Sequence, residues 1–348
     1  MTQAFANQAF PNRAPIRRAL VGAVLTLAAP AAVSVAFAQN AAAPDAASTA
    51  EQTIAAMTKI FGDHPGKRSN HAKGVVVEGS FTPSKDAASL SKAGVFAGPA
   101  VPVTVRFSDA TGLPQIPDGA PEANPHGLSI KFKPADGSEM DVVTNSLKFF
   151  PVATGEEFRD LLVAITRSGP GTAKPTPVEQ FMAAHPTAPK ALATARTPSS
   201  FGRQVYNGVN AFVLVDAAGK RNAFRYRIVP VAGEELLSAD DAKAKAPNYL
   251  VEEMPAHLAK APVAFRVEAQ IAQPGDSTKD STIPWPEDRR FVDLGTLTLT
   301  KAVPDSQTVE KTLLFMPNNL PDGVEVSDDP LIDARVQAYA ISFGRRSQ

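Results

Sequence analysis

Arg335 and Tyr339 stand four residues apart in the sequence. On a helix that spacing puts them on one face, where a guanidinium reaches a phenol oxygen. Two readings follow: an exposed amphipathic pair, or a phenolate metal ligand whose anion is held by the neighbouring cation. The second is chemically demanding, because a phenol titrates at about 10 and ionises at neutral pH only when a cation and a metal both stabilise the anion. Far upstream, His71 immediately precedes the run AKGVVVEGSF. An imidazole at the mouth of a strand is either a strand-end residue or a proton carrier, since its ordinary pKa of about 6.5 suits general acid–base work. The other histidines, His64, His126, His185 and His257, lack the H-x-x-x-H spacing of a zinc helix. No Gly-x-Ser-x-Gly elbow or phosphate loop occurs, and Asp118 and Glu122 in LPQIPDGAPEANP read as part of a solvated connection.

The elements that must position these residues are legible as two periodicities. Strand-length apolar and β-branched runs occupy 101–108, 127–133, 209–216, 222–230, 261–273 and 291–300. The segment Asp216 to Lys220 predicts a hairpin, with Gly219 free to take the positive φ of a tight turn. Helical spacing appears at 49–61, 154–168, 244–260 (interrupted by Pro247 and Pro255) and 329–343. Thr154 followed by Glu157 predicts a capping box. Strands dominate the middle and helices gather at the edges, so the expected class is α+β, an antiparallel barrel or sandwich with peripheral helices.

Residues 1–38 pair Arg17 and Arg18 with an Ala-rich apolar run ending in a small-x-small pattern at Ala36 and Ala38, which predicts a cleaved export signal. Ordinary secretory and twin-arginine routes both fit. A membrane anchor fits less well, because the run contains Pro30 and is weakly apolar. Residues 39–50 are an Ala/Ser/Pro tether expected to be disordered, and 51–348 a single domain with a substantial core. Three of the 35 basic residues and none of the 35 acidic ones fall in 1–38, leaving a formal charge of −3 on the remainder. That balance gives no reason to expect nucleic acid or stable membrane association. With no cysteine in the chain, disulfides, thiolate nucleophiles, iron–sulfur clusters and Cys-ligated zinc are all excluded.

Tyrosine belongs to the short set of axial haem ligands, alongside Cys, His and Met. The segments NHAKGVVVEGSF (70–81), VRFSDATG (105–112), NPHGLSIKF (124–132), DVVTNSLKFF (141–150), WPEDRRFVDLGTLTLT (285–300) and DPLIDARVQAY (329–339) resemble, in order, the core motifs of the haem catalases. In length the chain is similar to the short, exported catalase-related peroxidases. The resemblance implies a catalase-type β-barrel, a haem b cofactor and a C-terminal helix carrying the iron ligand. Residue by residue, it implies that His71 is the distal histidine, moving a proton from peroxide to the departing oxygen, with Asn145 beside it and Ser108 orienting its ring. It makes Tyr339 the iron ligand and Arg335 its partner, with Asp329 in the relay behind. Arg68, Arg106 and Arg346 match the arginines that clamp the haem carboxylates, with Arg345 an alternative to Arg346, and Phe158 matches a phenylalanine packed on the macrocycle.

Three departures bear on activity: Asn70 and Ala110 replace valines around the distal pocket, and Asn210 replaces a histidine that joins the arginine to the aspartate. A wider, more polar pocket positions a second peroxide less tightly. The expected function is therefore a haem peroxidase consuming hydrogen peroxide or organic hydroperoxides with a small organic reductant, with weak catalase activity. The alternatives are a hydroperoxide-rearranging lyase of the same fold, such as an allene oxide synthase, and a non-enzymatic haem carrier. A periplasmic or secreted monomer or small homo-oligomer is expected.

Overall fold

Alternation along the strands decides the architecture, because long runs with one apolar face must close that face against another. The computed structural model describes residues 47–347. The expected signal sequence 1–38 and most of the expected tether lie outside the described residues. In chain order the elements are α1 Thr49–Phe61, β1 Gly74–Pro83, α2 Gly94–Ala97, β2 Val101–Asp109, β3 His126–Phe132, β4 Met140–Asn145, α3 Gly155–Thr166, α4 Pro177–Ala184 and α5 Thr187–Leu192. There follow β5 Tyr206–Asn207, β6 Phe212–Val215, β7 Arg221–Pro230, α6 Ala239–Lys243, α7 Tyr249–Leu258, β8 Val263–Ile271, β9 Phe291–Ala302, α8 Ser306–Thr312, β10 Val324–Val326 and α9 Pro330–Arg346.

The sheet is antiparallel and closed. Strands β1, β2, β3, β4, β5, β7, β8 and β9 form the ring, which β7–β8 pairing completes, and β6 and β10 extend it beside β7. Its interior is filled by alternate residues such as Val105, Phe107, Leu128, Ile130, Phe224 and Phe265. Phe107 is fully buried and stacks on Phe201 with ring centroids 5.4 Å apart. The intervening residues of β2, Arg106 and Ser108, point the other way but are also buried, at 4% exposure each. What covers them is a layer made from α1, α3 and α9, whose shared apolar seam includes Ile54, Met57, Phe158, Leu162 and Ile341.

The local chemistry at the ends of these elements departs from expectation in instructive ways. Helix α1 begins at Thr49 behind a Ser48–Glu51 capping box, so Thr49 and Ala50 of the expected tether are helical. At α3, Thr154 accepts the Glu157 N–H as predicted, but the Glu157 carboxylate turns back to the Ala153 N–H (2.7 Å) instead of that of Thr154. The helix expected from residue 244 starts at Tyr249, after Pro247, and keeps Pro255 inside it. The hairpin at 216–220 forms, with Gly219 at φ 83° and Asp216 Oδ1 accepting two main-chain N–H groups. The loop 113–125 is not simply solvated: Asp118 is fully buried and ion-paired with Lys73, because its carboxylate caps the start of α7.

Removing the Phe107 ring empties a fully enclosed part of the barrel. Phe107→Ala should therefore cost about 3–5 kcal/mol of stability, measured by denaturant unfolding of the folded chain.

Candidate active site

Between the β2–β4 wall of the barrel and the α1–α3–α9 layer lies a cavity of about 810 Å³. Its sides are apolar, with Ile54, Met57, Phe158, Leu161 and Val209 among the lining residues. Polar groups enter from three directions: His71, Ser108 and Asn145 from the barrel, Tyr339 and Arg335 from α9, and an arginine cluster at one edge. Phe158 reaches the cavity from α3 and meets Phe150 at 5.6 Å.

On the barrel side, His71 has φ 56°, a left-handed conformation that costs a non-glycine residue on the order of 1 kcal/mol. That turn is held by Arg106, whose Nη2 donates to the His71 carbonyl at 2.8 Å. The imidazole Nδ1 lies 3.0 Å from Ser108 Oγ, which leaves Nε2 as the ring nitrogen available to the cavity. Gly127 pairs with Ser108 across β2 and β3, and a Cβ there would sit 2.9 Å from Ser108 Oγ and 3.1 Å from the imidazole. Only glycine leaves room for this pair. Burial first, then repulsion from Arg106, Arg68 and Arg335, pushes the His71 pKa down to about 3, so the ring is neutral. Asn145 spends its carbonyl oxygen on the Leu147 N–H at 2.8 Å, which leaves its NH₂ group as the donor for a ligand. Asn70 and Ala110 also line the cavity, and Asn70 Oδ1 is buried without a hydrogen-bond partner among the described residues.

On the helical side, Arg335 Nε and Nη2 both donate to Tyr339 Oη, at 3.3 and 3.0 Å. The same guanidinium donates through Nη1 to Asn210 Oδ1, and Asn210 Nδ2 donates to Asp329 Oδ2 at 2.7 Å. An asparagine thus joins arginine to aspartate, since a carboxamide accepts at one end and donates at the other. Asp329 also caps α9 by accepting the Leu331 N–H, so one carboxylate serves both the helix start and the link to Arg335.

At the cavity edge, Arg68, Arg106 and Arg346 converge. Helix α9 runs three residues beyond the predicted end at 343, which carries Arg346 inward, where it is 4% exposed. Arg345, by contrast, points outward to Thr58 and does not line the cavity. Sequence reasoning missed Glu310, on the seven-residue α8: its Oε2 lies 2.7 Å from Arg106 Nη2 and 3.4 Å from Arg68 Nη1. Arg346 Nε reaches the Glu310 carbonyl at 3.3 Å. The helix is too short for periodicity to show, and its only sequence signal is the cap at Asp305. Three cations facing one carboxylate leave a buried excess of positive charge. Burial, followed by the repulsion of Arg106 and Arg346, holds Arg68 well below the usual guanidinium range. A flat apolar ligand with two carboxylates balances that excess, and a haem with its two propionates has this character. The residues present therefore fit the group.

A closed eight-stranded antiparallel barrel with a phenol–guanidinium pair on a flanking helix defines a catalase-type fold. The chain belongs to the catalase family, whose model matches residues 51–346. It is 37% identical over 303 residues to a catalase-related peroxidase of Mycolicibacterium paratuberculosis, covering 86% of this chain and 95% of the relative. It is 32% identical over 320 residues to a catalase-related peroxidase of Synechococcus elongatus, covering 90% and 92%. Among solved structures, a bacterial catalase aligns with TM-score 0.71 at 22% identity, and catalase A of Saccharomyces cerevisiae with 0.71 at 18%. These alignments cover 82% of this chain but only 58% and 62% of those chains, which are longer.

Two outcomes follow from the geometry. Glu310→Gln should lower the melting midpoint of the haem-free protein, and raise its preference for hemin over hemin dimethyl ester by about tenfold, or ~1.4 kcal/mol, in a Soret titration. For His71, the depressed pKa means the folded chain resists a proton that the unfolded chain accepts at about 6.5, so its contribution to stability is lost as pH falls through that value toward 3. The rate constant for reaction with peroxide should accordingly show no inflection between about pH 5 and 7 in stopped-flow measurements, where an ordinary imidazole would give one at about 6.5.

Proposed function

We propose that this chain, an enzyme of the haem peroxidase kind, reduces hydrogen peroxide or organic hydroperoxides with electrons from a small organic donor. One observation carries the reading: a neutral imidazole and a guanidinium-bound phenol line the same apolar cavity, beside cations fitted to a dicarboxylate. Tyr339 would hold the iron of haem b, and Arg68, Arg106 and Arg346 its propionates. Bound there, haem would supply the redox chemistry that divides the O–O bond.

The remaining work falls to side chains. His71 Nε2 accepts the proton of an entering hydroperoxide, and returns it to the departing oxygen, while Ser108 keeps Nδ1 engaged and the ring oriented. Asn145 offers its NH₂ group to the peroxide oxygens. Arg335 places two N–H donors on Tyr339 Oη, and Asn210 and Asp329 hold Arg335. The apolar walls of α1 and α3 exclude water from this exchange. Ala110 and Asn70 leave space beside His71 that favours an organic donor over the close placement of a second peroxide, hence peroxidase over catalase turnover. Export fits the Arg17–Arg18 leader and the apolar run that follows it.

Purified protein loaded with hemin should oxidise a generic aromatic donor only when peroxide is present; consumption of a fatty hydroperoxide without donor would point to a lyase instead. His71→Ala should retain its Soret band and lose about 100-fold or more in peroxide reactivity. Tyr339→Phe should shift or lose the Soret band, and an unchanged band would overturn the ligand assignment.

A further inference from the structure

Successive strand residues face opposite ways, so the residue after Ser108 turns from the cavity into the end of the barrel. That residue, Asp109, is fully buried. Asp118, also fully buried, meets its carboxyl group from the loop after β2, and Lys73, two residues beyond His71, pairs with Asp118. Lys73 Nζ also donates to the carbonyls of Ile116 (2.7 Å) and Pro247 (2.9 Å). Asp118 Oδ2 accepts the Leu250 N–H at 2.7 Å at the start of α7. The Asp118 charge is therefore doubly compensated, by an ammonium and by the helix start. Asp109 has neither kind of partner: no N–H or O–H donor of the described residues serves either of its carboxyl oxygens.

Arg106 is turned to Glu310, so among the described residues Lys73 is the one cation in ion-pair contact with either acid, and one ammonium cannot balance two buried carboxylates. The arrangement closes if one proton lies between them, with Asp109 as the acid donating to the Asp118 carboxylate. On its far side Asp109 Oδ1 is 3.6 Å from His126 Nε2, and His126 is fully buried and kept neutral by that burial. The other ionisable groups facing the pair are Arg106 from β2, Tyr206 from β5 and Tyr249 from α7, both tyrosines being held in the phenol form by burial. The main chain adds a second link, since the Asp109 N–H donates to the Lys73 carbonyl at 3.1 Å. Asp109 and Lys73 thus flank the two residues whose side chains meet at His71 Nδ1 and Ser108 Oγ.

We propose that Asp109 is a positioning residue: as a proton-bearing acid bonded to Asp118, it fixes strand β2 at Ser108 and the His71–Lys73 segment in the register that aligns the imidazole. The proposal rests on the reading of His71 as the proton acceptor from peroxide. Loss of the shared proton leaves two carboxylates against one lysine and separates them, which loosens the Ser108–His71 bond. Burial, then the nearby Asp118 charge, raises the Asp109 pKa to about 8. Because the unfolded acid titrates at about 4, the folded chain holds a proton that the unfolded chain has released. The contribution to stability is full below about pH 4, declines above it, and is gone once pH has risen through 8.

The test compares the hemin-loaded full-length protein with Asp109→Asn, whose carboxamide can donate to Asp118 but cannot ionise. In the wild type, the peroxide rate constant should fall severalfold as pH rises from about 7 to 9, with a matching Soret change and a declining melting midpoint. In Asp109→Asn the inflection near pH 8 should vanish from all three readouts. An infrared titration of the wild type should show a buried protonated carboxyl band disappearing with the same midpoint, a measurement that stands even if the variant fails to fold. Persistence of the inflection in Asp109→Asn, or absence of the carboxyl band at pH 6, overturns the proposal. A wild type with the band but no peroxide chemistry would instead refute the peroxidase reading and leave the shared proton in place.

Discussion

Guanidinium groups buried at the rim of an apolar cavity are the constraint from which the rest of the site follows. A buried cation is tolerated only when it is paired and hydrogen-bonded, and the arginines here meet that demand unequally. Arg335 is satisfied within the protein, by a phenol oxygen and an asparagine. Arg68 and Arg106 share the Glu310 carboxylate, Arg68 and Arg346 donate to the carbonyls of Glu310 and Leu313, and Arg106 donates to that of His71. The first arrangement aims two N–H donors at one phenol oxygen; the second leaves a defined deficit of negative charge. Both effects are set by elements the barrel holds fixed, so the cavity carries an electrostatic polarity before any ligand enters.

The barrel contributes this rigidity through a division of labour along single strands. On β2, Val105 and Phe107 fill the interior, while Arg106 and Ser108 between them face the cavity. From Val103 onward the strand is buried on both faces, and the helical layer is what allows polar groups on its outer side to be dry. The same alternation places Asp109 and His126 at the barrel end, where their polar atoms find few protein partners. Polar residues at such positions lower stability and persist where the site uses them.

Much of this was legible in the sequence because the informative residues sit on strong local patterns. The strands at 101–108, 222–230 and 291–300 and the helices at 49–61 and 154–168 appear within a few residues of their predicted bounds. The pairing of Arg335 with Tyr339 follows from helical spacing alone, and the geometry adds that the bonded pair lines a cavity. What stayed hidden lies on short or irregular segments. Glu310 is on two turns of helix, and Asp118 sits in a Pro- and Gly-rich loop whose composition argues for solvent, although its partner Lys73 buries it. Gly127 carries no signal of its own within the strand run 127–133, and only the register opposite Ser108 reveals that the imidazole occupies the space of a missing side chain. Long-range pairing, rather than propensity, was the missing information in each case.

The arms of the arginine cluster, Arg68 and Arg346, are separated by 278 positions in the sequence, and the strands that hold the cavity wall are closed into a ring by β7–β8 pairing. No fragment of the domain contains the whole binding surface, so a ligand that needs all of it can be captured only after the first and last parts of the fold have met. Any occupant of the cavity then stabilises the finished molecule by mass action and offers nothing to partly folded chains. The colour of a bound porphyrin would in this way serve as a gauge of completed assembly, reporting on contacts nearly the full length of the polypeptide apart.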